Sequence, residues 1–201
     1  MRAGADAIAD APPRLATERL ILAPLTLADA ETAQALFPHW EIVRYLASPP
    51  VPWPFPRDSA LTFFRDAALP AMAHGEAWIW TIRTNDAPER TIGVIELRDE
   101  DRNNRGFWLG LSWHGRGYMT EACEATADFW FESLGRGILY EPRAAANIAS
   151  RRIAEKTGMR LVETGTESFV AGTLPSELWA ITREEWRAHR VTRHRPAGPS
   201  G

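Results

Sequence analysis

The chain has 201 residues, 45% apolar and 24% charged, with a formal net charge of −3. That length suits one domain with its own core, and so small a charge argues against nucleic acid or a membrane surface as partner. Cys123 is the single cysteine, which excludes an internal disulfide and a cysteine-rich metal site. No apolar run approaches the roughly 18 residues that span a bilayer.

Residues 1–16, rich in alanine and broken by Pro12-Pro13, read as a flexible arm. Asp6, Asp10 and the two prolines stand where a secretory leader would be apolar, so a cytoplasmic protein is expected. Arg19 to Pro24 reads as a first strand. Thr26 is placed to cap a helix from Leu27 to Phe37. Pro49 to Pro56 carries five prolines around Trp53 and Phe55 and can be neither helix nor central strand. Asp58 is placed to cap a second helix with an apolar stripe of Leu61, Phe64 and Ala68.

Three strands are expected next, Ala77 to Arg83, Thr91 to Leu97 and Arg105 to Leu111. Their turns fall at Asn85 to Pro88 and Asp101 to Asn104. Tyr118 to Leu134 has helical periodicity, with Met119, Ala122, Cys123, Thr126 and Trp130 on one face and Glu121, Glu124, Asp128 and Glu132 on another. A short strand at Gly137 to Tyr140, a helix from Asn147 to Gly158, and strands at Met159 to Glu163 and Glu177 to Thr182 complete the domain, residues 17–186. Residues 187–201, basic and then Pro/Gly-rich, read as a disordered tail. The order predicts an α/β domain, an α+β mixed sheet, in which the helix from Tyr118 joins neighbouring parallel strands by a right-handed crossover.

The stretch Phe107-Trp108-Leu109-Gly110-Leu111-Ser112-Trp113-His114-Gly115-Arg116-Gly117-Tyr118-Met119-Thr120-Glu121-Ala122 takes a strand through a turn with two glycines directly into a helix. Such a turn aims several backbone N–H groups at one anion, and the helix dipole adds positive potential. It lacks the third glycine of a dinucleotide fingerprint and the Gly-Lys-Ser/Thr of a P-loop. On shape alone, a plain strand-to-helix turn fits as well.

This stretch resembles motif A of the GNAT superfamily, in its RimJ/RimL-type branch. The segments Ala146 to Met159 and Leu174 to Trp186 resemble two further signatures of that branch. The chain departs from the superfamily's broader pattern Gln/Arg-x-x-Gly-x-Gly/Ala at both ends, with His114 first and Met119 last. The resemblance implies the GNAT fold, a mostly antiparallel sheet whose two parallel strands splay around acetyl-CoA, and transfer of its acetyl group to a primary amine without metal. The pantetheine arm would pair with Leu109, Gly110 and Leu111. The pyrophosphate would rest on the loop of His114, Gly115, Arg116, Gly117, Tyr118, Met119 and Thr120. Asn147 would bond the pantetheine and Ser150 would lie near the sulfur. Arg116 also reads as a solvated turn residue, and Asn147 and Ser150 as helix-capping residues.

The reaction expected is direct attack by a neutral amine in a ternary complex, with a general base to take the amine proton. Ser150 is the candidate acid. Glu96 is preferred as base over Glu141 and His114. Trp53 and Phe55 are candidates for the acceptor pocket, or else pack on the core. The acceptor is a protein N-terminus or a small-molecule amine, and a homodimer is compatible with the family. A degenerate domain that binds acyl-CoA or a protein without catalysis is the alternative.

Overall fold

A computed structural model describes residues 11–47 and 51–193. The expected arm as far as Asp10, Pro49 and Pro50 of the proline run, and the tail from His194 lie outside them. Two short strands open the fold, β1 (Leu15–Ala16) and β2 (Leu20–Pro24). The last two residues expected in the arm therefore belong to the sheet, with Leu15 opposite Leu22. Asp29 accepts the Thr26 N–H (2.9 Å) just before helix α1 (Ala30–Leu36). A short helix α2 (Trp40–Val43) follows.

Helix α3 (Ser59–Phe63), a π turn (Phe64–Ala68) and α4 (Leu69–Ala73) make one continuous helical segment. Its buried stripe is Ala60, Phe64 and Ala68, at a spacing of four, whereas Leu61 is 42% exposed. Leu61 stands one residue past Ala60, about 100° around the axis, and so leaves the core face.

Strands β3 (Ala77–Thr84), β4 (Ala87–Arg98) and β5 (Arg105–Leu109) extend the first sheet, which is antiparallel in the order β1-β2-β3-β4-β5. The β3–β4 turn is shorter than expected: Thr84 faces Ala87, so Ala87 and Pro88 are strand residues. β3 is buried from Ala77 to Ile82 because both of its faces are covered. Trp78, Trp80 and Ile82 enter one core, Ala77 and Ile79 the other.

Helix α5 (Tyr118–Asp128) runs on through a π turn (Phe129–Ser133) to β6 (Ile138–Ala144). Helix α6 (Ile148–Lys156) and strands β7 (Arg160–Phe169) and β8 (Gly172–Thr182) follow, and the second sheet has the order β6-β8-β7. β6 outruns its expected end at Tyr140 and passes through Pro142, which an edge strand tolerates because one side needs no donor. The chain thus forms the mixed α/β class expected, but as two antiparallel sheets. β5 and β6 touch at their beginnings, where Asn104 N–H meets Tyr140 C=O (3.0 Å) and Tyr140 N–H meets Asn104 Oδ1 (2.9 Å). No ladder joins them beyond that point.

Helix α7 (Arg183–Arg193) corrects the reading of residues 187–193 as irregular tail. Trp186 is buried and stacks on Phe131, while Arg187 and Arg190 pair with Glu132 and Asp128. The acidic face expected on the helix from Tyr118 is therefore partly covered by arginines from the chain's end. Among the described residues no helix is long and apolar enough to cross a membrane.

Candidate active site

The turn between β5 and α5 is built from its glycines. Gly110 N–H bonds Ile92 C=O (2.9 Å), prolonging the β4–β5 ladder by one residue. Alternation along a strand then directs the N–H groups of Leu109 and Leu111 to the opposite edge, the one facing the β5–β6 gap. A 3-10 turn (Leu111–Trp113) follows, and the Trp113 ring lies on Gly110, where a Cβ would fall 2.9 Å from it. His114 Nε2 lies 2.8 Å from Leu109 C=O, so that ring nitrogen carries the proton and ties the loop to the strand end.

Gly115 and Gly117 adopt φ of 75° and 79°, the left-handed region in which a side chain is strained. The first intrahelical bond of α5 runs from Glu121 N–H to Gly117 C=O (3.1 Å). The amides of Tyr118, Met119 and Thr120 precede it and have no intrahelical partner. Three amides at a helix N-terminus, beside two glycines, form a cradle for an oxyanion. The Arg116 side chain is exposed at its rim, and the Met119 side chain is buried in the core, leaving only its backbone for the site.

Arg19 belongs to this turn too, although sequence reasoning passed it over. Its Nε donates to Glu121 Oε2 (2.7 Å), its NH1 to Arg116 C=O (3.0 Å), and its guanidinium lies 5.0 Å from the Tyr118 ring centroid. Glu121 also accepts from Thr17 Oγ (2.6 Å) and Arg19 N–H (2.8 Å). Burial raises the Glu121 pKa, but these hydrogen bonds and the arginine outweigh it and hold the carboxyl below its ordinary value. The available signal was an acid four residues into a helix, which reads equally well as a solvated face.

On the other side of the gap, Asn147 caps α6 by accepting Ser150 N–H (3.2 Å). Ser150 is buried and its carbonyl accepts from Arg143 NH1. Arg143 also holds Glu141, whose other oxygen accepts from Arg105 Nε (2.6 Å). All three side chains are nearly fully buried, so Glu141 is held between two arginines and is not available as a base. Burial pulls the Arg143 pKa down. Cys123, beside this group, has its thiol pushed up to about 12, chiefly by burial. It is an inert core residue, not a nucleophile.

A cavity of about 1060 Å³ opens on the opposite face of the first sheet and reaches the β5–β6 gap, where Phe107 and Pro142 line it. Glu96 stands on its wall. Its carboxylate lies over Gly106, directly across the β4–β5 ladder, and pairs with Arg98 NH2 (2.5 Å). Phe55 lines the cavity, as does Trp108, which is half-buried rather than a core residue. Trp53 lies outside the wall, 42% exposed, with its ring 5.7 Å from Trp40. His114 and Ser150 are not cavity residues either.

Residues 19–160 match the model of the acetyltransferase (GNAT) domain. The chain belongs to the GNAT acetyltransferase family. It is 28% identical over 191 residues to the FsC-acetyl coenzyme A-N(2)-transacetylase of Aspergillus fumigatus, covering 88% of this chain and 79% of that one. It is 24% identical over 104 residues to the putative ribosomal N-acetyltransferase YdaF of Bacillus subtilis, covering 49% and 57%. Among solved structures it resembles RimL, a ribosomal alpha-N-protein acetyltransferase in complex with coenzyme A (TM-score 0.73, 15% identity, 85% of this chain and 98% of that one). It also resembles Mycobacterium smegmatis RimJ in complex with CoA-disulfide (TM-score 0.72, 20% identity, 88% and 90%). As a GNAT enzyme the chain is an acetyl-CoA-dependent N-acetyltransferase.

Proposed function

We propose that acetyl-CoA spans the β5–β6 gap and that the amine to be acetylated enters the cavity carrying Glu96. The observation that carries this reading is the continuity of the two sites: the amide cradle stands at one end of the unpaired β5 edge, and the cavity opens along the same strand. The amides of Tyr118, Met119 and Thr120, the turn of Gly115 to Gly117 and the exposed Arg116 would hold the pyrophosphate. The N–H groups of Leu109 and Leu111 would pair with the pantetheine arm. Acetyl-CoA supplies an activated acyl group; the new C–N bond forms as the C–S bond breaks.

The chain's own groups then have separate tasks. Glu96 accepts the proton that the attacking amine must lose, directly or through one water. Gly106 leaves the space in which its carboxylate stands. An N–H on the β5 edge near Leu111 polarises the acyl oxygen. Ser150, with no partner for its hydroxyl among the described residues, donates to the departing sulfur. Asn147 sets the start of α6 and so the place of Ser150.

Calorimetric titration with acetyl-CoA, together with thiol release in the presence of amines, tests the reading. Glu96→Gln is expected to lower kcat by about a hundredfold or more and to leave acetyl-CoA affinity unchanged. A variant with full turnover removes Glu96 from the mechanism. Failure of the parent chain to bind acetyl-CoA refutes the site as a whole.

A further inference from the structure

We infer that the acceptor is a primary monoamine carried on a compact, apolar, aromatic body that packs on the rings of the cavity wall. This rests on the reaction proposed above.

The wall supplies the first argument. Phe37, directly after α1, meets Phe55 edge-on at 5.0 Å between centroids and Trp108 of β5 at 5.2 Å. All three rings line the cavity and all three are only half-buried. The described residues place a cluster of rings around a space that they do not fill. A ligand ring or aliphatic body is what such faces and edges accept best.

Charge supplies the second. Asp58, Asp101, Glu163 and Glu167 line the cavity but are exposed at its rim, and Glu163 is paired with Arg102. Among the described residues Glu96 is the carboxylate on the inner wall, and its immediate neighbour is Arg98. One ammonium is matched there; a second, close to the first, would meet the Arg98 guanidinium. A linear polyamine is therefore a poor fit.

Closure supplies the third. The β7–β8 turn is bonded to residues 44–47, through Val170 N–H to Leu46 C=O (3.0 Å), Ala171 N–H to Arg44 C=O (3.0 Å) and a bridge between Ala47 and Phe169. Leu46, Ala47 and Phe169 line the cavity, so this seam is part of its wall. The volume, about 1060 Å³, lies just above the roughly 300–1000 Å³ common for small-ligand pockets. On this side a trailing polypeptide is barred by main-chain hydrogen bonds.

The test is thiol release by the full chain at saturating acetyl-CoA with phenethylamine, tryptamine, spermidine and a short peptide beginning with serine. The expected result is a kcat/KM for both arylalkylamines at least about tenfold above the other two, the scale on which apolar pockets discriminate. Phe55→Ala is expected to raise the KM of the arylalkylamines about tenfold, with the KM for acetyl-CoA unchanged. The amine panel uses the unaltered chain and does not depend on how that variant folds. Preference for spermidine or the peptide, a level profile, or no turnover of either arylalkylamine while acetyl-CoA still binds overturns the acceptor class. Loss of acetyl-CoA binding overturns the proposed reaction, and this inference with it.

Discussion

A Cβ added at Gly106 would fall 2.5 Å from Glu96 Oε1, closer than real contacts allow. Gly106→Ala is therefore expected to displace the carboxylate. Misplacement of a reacting group by about 1 Å costs on the order of a hundredfold in rate, so kcat should fall on that scale with acetyl-CoA affinity retained. Steady-state kinetics and calorimetry on the same sample check both halves. Gly117 has a different constraint, a φ of 79° and a Cβ position 3.4 Å from Arg19 NH2. Gly117→Glu is expected to abolish acetyl-CoA binding, because a carboxylate would take the place of the phosphate and recruit Arg19 to itself. The left-handed backbone adds about 1 kcal/mol of strain, so melting should fall by only a few degrees. Unchanged affinity would refute the phosphate seat.

At the scale of elements, β5, β6 and the start of α6 are joined by charge as well as by packing. Arg105 on β5, Glu141 and Arg143 on β6 and the Ser150 carbonyl on α6 form one buried chain of contacts. Removing the carboxylate leaves two buried guanidinium groups facing one another. Glu141→Gln is expected to cost about 3–5 kcal/mol, read as a loss of roughly 10 °C in melting temperature for a chain of this size. A shift of a degree or less would mean that the triad does not hold the gap together. Glu141 was legible in the sequence as a candidate base and nothing more, because its two arginine partners lie 36 residues before it and two after it in the chain. No local pattern joins them.

Across the whole molecule, Glu121 ties the first strands to α5 through Thr17 and Arg19. Its folded pKa is below the ordinary carboxylate value, so in the interval between the two the unfolded chain binds more protons than the folded one. The stability it contributes is complete above the ordinary carboxylate pKa and is lost as pH falls through the lowered folded value. The melting-temperature difference between the parent and Glu121→Gln should be constant near neutral pH and shrink in that acid range. A difference that persists unchanged to lower pH would mean that the carboxylate is not the source.

What the sequence determined by itself is the local geometry and the family. A strand, two glycines with three residues of helix after them, and an asparagine before a helix are patterns of near neighbours, decided by φ and by hydrogen bonds within four residues. They were readable as written, and Gly115, Gly117 and the Asn147 cap have the conformations that such patterns require. The cavity was decided elsewhere. Phe55 turns inward while Trp53, two residues earlier, turns out to Trp40; Glu96 reaches the wall because Gly106 stands opposite it on the next strand. The helix at residues 183–193 runs on through 187–193, where irregular chain was expected, because Asp128, Phe131 and Glu132 give it ion pairs and a ring to pack on. Each of these depends on partners from distant parts of the chain, and only the packed structure brings such partners together.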